Sequence, residues 1–347
     1  MRTNLYRVLT ASALVLAICG ANACGNLSPN SIAASSSASA AAITASDPAT
    51  RAGETTRTPT AVEAAIAVCA HPAIQSEVSF PFENSGRNSL TPEQRAMYDE
   101  VLPKILGLEP FCDKPGMMDD LLQVCYEMQK DYPDISSYFK LVEENNEAGY
   151  LTLNSSYQCF WDYDGSQYNS EPDAIRSGMN RYDNICEQII AEMPQGLSTF
   201  MKYYYLAVAV CERTQYDYEQ DLLGSYASAG AFLNGKAVCQ GYSLTYVSLC
   251  KRAGLYCRMV VGGAGPDDLA HAWDMVRLAS GTYYIDLTWA DWTGKKQGMN
   301  FLRYFMLTQD EILIDHTLLE DTVKGIPQAT GTPLGLWDFS AEVSTTG

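Results

Sequence analysis

What most constrains the fold is the order of periods between Gly235 and Trp289. In "GKAVCQGYSLTYVSLCKRAGL" the residues Tyr242, Tyr246, Leu249, Cys250 and Ala253 recur at i, i+4, i+7, i+8 and i+11, which is one apolar helical face. Lys251 and Arg252 fall in its last turn and Gly254 just beyond, the chemistry of a helix stop. "CRMVV", "HAWDMVRL" and "TYYIDLTW" follow, parted by "GGAGPDDLA" and "ASG", and read as three strands. A helix followed by an antiparallel strand run predicts an α+β domain.

Cys239 falls at the first turn of that helix, ahead of the apolar face. Unpaired amides and the positive dipole end favour a thiolate there, and the same amides suit a developing oxyanion. Three roles stand open for such a cysteine: filling space, forming a disulfide, or reacting. A reacting thiol needs a base, and the base needs an orienting acceptor. His271 begins the second strand run and Asp286 lies in the third. If the hairpin turns at Ala279-Ser280, Leu278 faces Gly281 and Asp286 falls opposite Trp273. His271, Trp273 and Asp286 then share a face, with His271 and Asp286 diagonal neighbours about 7–8 Å apart at the backbone, within side-chain reach. A one-residue slip would part them.

The ends carry other signals. "MRTNLYRVLTASALVLAICGANAC" is an export signal with an apolar run from Val8 to Ile18, too short to span a bilayer. Small residues before Cys24 make it a candidate lipid anchor, with free secretion the alternative. The expected organisation is a signal peptide at 1–23, a Ser/Ala/Thr-rich disordered tether at 24–60, a mainly helical region at 61–197, a catalytic domain at 198–320 and a tail at 321–347. Loss of the signal removes Arg2 and Arg7 and no acid, so the formal charge goes from −18 to −20. That excess argues against nucleic acid as a partner. Within the helical region, "PGMMDDLLQVCYEMQKDYP" carries an apolar stripe at Met118, Leu121, Leu122, Cys125 and Met128.

Of eleven cysteines, Cys19 leaves with the signal, Cys24 is the lipid site and Cys239 the thiol in question. Cys69, Cys112, Cys125, Cys159, Cys186, Cys211, Cys250 and Cys257 remain, an even set that suits disulfides in an exported chain, with buried thiols the alternative. No CxxC pair or His/Cys cluster suggests a metal, and Asp162, Asp164 and Gly165 lack calcium-loop spacing. His71 and His316 read as ordinary residues, and no cofactor is expected.

"GKAVCQGYSLTYVSLCKRAGLYCRMVVGG", "HAWDMV" and "YYIDLTWAD" resemble the three core motifs of the transglutaminase-like superfamily, whose core is similar to that of papain-type cysteine proteases. The likeness runs from Tyr216 to Thr317, with "YDY" upstream and "YFMLTQDEILIDHT" downstream. It implies a helix bearing Cys239 packed on an antiparallel sheet bearing His271 and Asp286: nucleophile, general base and acid, and orienting carboxylate. The chain departs from many relatives at Lys202–Val210, where they carry a histidine-aspartate pair. Papain-type enzymes take an oxyanion donor from a glutamine upstream; here Asn234 and Gln240 are the nearest candidates, and Trp273, Trp289 and Trp292 are candidates for a substrate cleft. The resemblance implies an extracytoplasmic enzyme of secreted or lipoprotein type that forms a thioester. A peptidase or amidase acting on peptide or protein substrates is the first reading. A glutamine transglutaminase or an inactive surface-binding module are the alternatives.

Overall fold

A computed structural model of the chain describes residues 81, 85–107, 114–134, 139–145, 148–153, 172–218, 223–291, 300–318 and 328–336. Cys24, Cys69, Cys112, Cys159, His71, Trp292, the signal, the tether and the tail apart from 328–336 lie outside them. Numbered in chain order, the helices are α1 (Gly86–Ser89), α2 (Pro92–Gly107), α3 (Met118–Asp131), α4 (Pro172–Glu192), α5 (Thr199–Arg213), α6 (Ser228–Leu233) and α7 (Cys239–Arg252). The strands are β1 (Lys114–Met117), β2 (Phe139–Asn145), β3 (Ala148–Leu153), β4 (Gln215–Tyr216), β5 (Lys236–Ala237), β6 (Cys257–Ala264), β7 (Leu269–Leu278), β8 (Gly281–Ile285) and β9 (His316–Leu318).

The strands expected after Gly254 form an antiparallel sheet in the order β8-β7-β6-β9. Alternation along β7 divides the core as a period of two requires. Trp273 and Met275 join one apolar cluster with Val260 and Tyr284, while Ala272, Val276 and Leu278 join the larger cluster under α7. The hairpin register is Leu278 with Gly281 and Asp274 with Ile285, as the turn at Ala279-Ser280 demands. β9 escaped the sequence reading because three residues are too few to show a period. "TYYIDLTW" is not one strand: β8 stops at Ile285, and residues 287–291 are helical.

Two glycines are decisive at α7. Gly254, at φ +70°, closes the helix, with Leu255 N–H on the Cys250 carbonyl at 2.9 Å and Gly254 N–H on Lys251 at 3.0 Å. Gly241 lies where a Cβ would sit 2.2 Å from the Ser225 carbonyl oxygen, a backbone atom that also receives the Val238 N–H at 3.0 Å. Gly241→Ala is therefore expected to cost about 1–3 kcal/mol by overpacking and to shift the start of α7, read as a lower urea midpoint together with slower alkylation of Cys239.

The stripe on α3 was expected to bury one face, but Gln123, Glu127, Gln129, Lys130 and Asp131 are buried as well. The polarity of Gln123, Glu127, Lys130 and Asp131 is met internally. Gln123 donates to Glu127 at 3.0 Å, Lys130 pairs with Glu127, and Asp131 accepts from the amides of Gly86 and Arg87 and from the Tyr98 hydroxyl at 2.9, 3.2 and 2.8 Å. The region before residue 198 also holds a sheet, β1-β3-β2, beside its helices. These elements brace the far end of α7: Arg252 pairs with Asp134 and Asp183, and the Tyr126 hydroxyl donates to the Met259 carbonyl. Cys239 lies a helix length away, roughly 20 Å at 1.5 Å per residue.

The disulfide expectation fails where it is seen. Cys186, Cys250 and Cys257 are buried free thiols, and Cys211 spends its S–H on the Leu287 carbonyl at 3.7 Å. Buried thiols of this kind act as small apolar groups; burial pushes the Cys186 thiol up to about 12. No helix among the described residues is long and apolar enough to cross a membrane.

Candidate active site

Nothing caps the start of α7. Val238 precedes it in extended backbone without a side-chain acceptor, and the first bond of the helix runs from Tyr242 N–H to the Val238 carbonyl at 3.0 Å. The amides before Tyr242 are thus outside the helical ladder. Cys239 stands among them, 8% exposed. The field of a helix start favours an anion by about 0.3–1 kcal/mol, too little by itself to make a thiolate, so a cationic neighbour matters more.

His271 is that neighbour. Its Nε2 lies 2.8 Å from Asp286 Oδ2, which orients the ring and leaves Nδ1 for the Cys239 sulfur, its other hydrogen-bond partner. Burial lowers the His271 pKa; the charges of Asp286 and Cys239 and the bonds to both more than reverse this and carry it up to about 10. An imidazolium so held keeps its proton across the neutral range.

Asp286 is fully buried, and each oxygen is used. Oδ1 accepts the Trp289 amide at 3.1 Å, and the Asp286 carbonyl accepts Ala290 N–H at 2.9 Å, so this aspartate is also the N-cap of the helix at 287–291. Oδ2 accepts from His271 and, at 3.1 Å, from His316 Nε2. Burial raises the carboxyl's pKa, but the two histidines outweigh it and hold it well below the usual carboxylate range.

The reading of His316 as an ordinary residue is corrected. It is 2% exposed, brought to the site by β9, with Nδ1 2.6 Å from Asp315 Oδ1. Its neighbours in sequence gave one signal, the acid just before it, but no period placed either residue on the sheet. His271, Asp286 and His316 offer donor atoms within 4.8 Å of one another. Both Nε2 atoms already meet one carboxylate oxygen at hydrogen-bond distance, so a cation there would have to displace two protons.

Of the aromatic and oxyanion candidates among the described residues, Trp273 and Gln240 are buried, and Trp289 and Asn234 are half-buried. Trp273 is 1% exposed and stacks on His271, centroids 6.0 Å apart at 26°; Trp289 tilts against the same ring at 5.8 Å. Trp273 is a core support for the imidazole, and not an open cleft wall. Gln240 is 2% exposed, and Asn234 ends α6.

Asp274, on the opposite face of β7 from Trp273, is fully buried with Oδ1 on Ser243 Oγ at 2.6 Å and Oδ2 without a partner. Burial pushes its carboxyl well above the ordinary range. The native state therefore keeps a proton that the unfolded chain releases above about pH 4, and stability falls as pH rises through that window. Asp274→Asn is expected to flatten this fall and to raise stability at neutral pH by about 1–3 kcal/mol, measured as urea midpoints from pH 4 to 8.

A helix-borne cysteine set against a histidine and an aspartate of an antiparallel sheet defines a papain-like α+β arrangement. Residues 186–289 match the sequence model of the transglutaminase-like superfamily. The superfamily is one of cysteine-dependent enzymes. Among solved structures, one described as a TGase shares 20% identity over 44% of this chain and 45% of its own, with a TM-score of 0.29. A candidate cysteine protease from Cytophaga hutchinsonii shares 10% over 52% of this chain and 66% of its own, with a TM-score of 0.28. The chain thus spans less than two thirds of either protein. No curated protein matches it.

Proposed function

We propose that the chain is an extracytoplasmic acyl-transfer enzyme with Cys239 as nucleophile, His271 as general acid and base, and Asp286 as the residue that orients His271. The observation that carries this reading is one imidazole between two partners, Asp286 Oδ2 at 2.8 Å and Cys239 at a helix start. The Cys239 thiolate adds to an amide carbonyl and the C=O electron pair moves to oxygen, where amides at the start of α7 support it. The intermediate collapses to a thioester as the C–N bond breaks, and the His271 imidazolium gives its proton to the leaving amine. Water then attacks the thioester; His271 takes its proton, the C–S bond breaks, and the thiolate returns with a free acid.

Water is the proposed acceptor, which makes the enzyme a peptidase or amidase. An amine in place of water would make it a transglutaminase by the same steps. The export-signal pattern of residues 1–23 and the cysteine at position 24 support a location outside the cytoplasm, secreted or lipid-anchored. Mass spectrometry of the intact chain after brief exposure to peptide mixtures, with and without added primary amine, tests the assignment. The expected result is an acyl adduct on Cys239 that decays to acid at a rate the amine does not change. Amide products would move the assignment to transglutaminase, and the absence of any adduct with an unreactive Cys239 would leave a binding module.

A further inference from the structure

We infer that His316 is a positioning residue of this site: an imidazolium clamped between Asp286 and Asp315 that fixes the Asp286 carboxylate and sets the protonation of the Cys239–His271 pair. The inference rests on the reading of Cys239, His271 and Asp286 given above. Both nitrogens of the His316 ring meet carboxylate oxygens, Nε2 with Asp286 Oδ2 at 3.1 Å and Nδ1 with Asp315 Oδ1 at 2.6 Å. A carboxylate only accepts, and only the cationic ring has two N–H groups to donate. The other oxygen of Asp315, Oδ2, accepts from Arg303 and from the Tyr304 hydroxyl, each at 2.9 Å. Trp289 and Trp273, with centroids 4.8 and 5.0 Å from the His316 ring, wall it from water and present aromatic surface to the charge.

The charges that face this ring come from each element around it. His271 on β7 lies 5.5 Å away between centroids, and Asp286 follows β8. Asp315 precedes β9, and Arg303 and Tyr304 from the turn at Asn300–Tyr304 reach His316 through it. Asp274, the remaining buried acid of β7, interacts with Asp286. Within this set His316 is the cation nearest to His271 that takes no part in the proposed proton transfer. It opposes the second positive charge on His271, so the proton given to the leaving group is less tightly held. It favours the thiolate by the same sign of field. Removing it should therefore raise the pH at which the ion pair forms and the pH at which it is lost.

The test compares the pH dependence of Cys239 alkylation by iodoacetamide in the full chain and in His316→Gln. Nitrogen-15 histidine NMR of the unsubstituted chain accompanies it, the three histidines being assigned by substitution. Both limbs of the alkylation profile should move to higher pH by roughly one unit, the size of effect a charge at 4–6 Å exerts, and both His316 nitrogens should carry protons at the pH of highest reactivity. A lower rate with unmoved limbs would mean a structural role only and overturn the inference. So would one unprotonated nitrogen on His316, a result that needs no variant to fold. If Cys239 is inert in the unsubstituted chain, the proposed enzyme fails, while NMR still decides the charge on His316.

Discussion

Cys239→Ala and His271→Ala, each alone, are expected to remove turnover by roughly 10⁶-fold in kcat. The two groups form one unit: without His271 the sulfur has no cation beside it and no route for the leaving group's proton, and without the sulfur no thioester forms. The double variant should therefore be no worse than either single one, and the sum of the single losses should greatly exceed the loss in the pair. The fold should survive in Cys239→Ala, since alanine removes one small sulfur from a first-turn position at the edge of the core. The measurement is kcat/KM for a substrate found by adduct trapping, with circular dichroism and a urea midpoint on the same samples. An alanine variant that keeps even a hundredth of the parent activity would end the assignment of Cys239.

The parts of this site that could be read from the sequence are those with a period or a register. Tyr242 to Ala253 announced α7, Gly254 its stop, and the "ASG" turn the pairing of Leu278 with Gly281; from these the meeting of His271 and Asp286 follows by counting. What was hidden depends on contacts between segments far apart in the chain. His316 reaches the site through a three-residue strand that pairs with β6 some fifty residues upstream, which no local pattern encodes. Asp286 was read as a strand residue because "TYYIDLTW" alternates, yet its carboxylate captures the Trp289 amide and turns the chain into a helix. Cysteine counting misled for Cys186, Cys250 and Cys257, which are buried free thiols. The polar residues of α3 looked solvated because sequence shows their charge and not the partners that neutralise it.

Asp286→Asn is expected to be more damaging than the loss of an orienting group alone. The carboxylate accepts three N–H bonds, from Trp289 N, His271 Nε2 and His316 Nε2, and an amide has one oxygen with which to accept. If the asparagine oxygen keeps the Trp289 amide, its NH₂ faces both rings, and a donor meets two donors. Each ring relieves this by giving up its Nε2 proton and keeping the one on Nδ1. For His271 that sets an N–H against the sulfur and leaves no lone pair there to accept a proton, the tautomer that cannot serve as a base. By that argument kcat should fall by roughly 10⁴-fold, with the residual activity owed to Cys239 and the amides around it. The same substitution changes acid stability. Asp286 has its pKa held below the ordinary range in the folded state, so it contributes stability that is present above about pH 4 and lost as the pH falls from there. In Asp286→Asn that loss should disappear, leaving a flatter profile between pH 5 and 2, while Asp286→Ala should in addition lose the cap of the helix at 287–291, about 1 kcal/mol. Urea midpoints across this range, taken with kcat on both variants, separate the cap from the chemistry. An asparagine variant with kcat within tenfold of the parent would show that the bond from Asp286 to His271 does not govern the reaction.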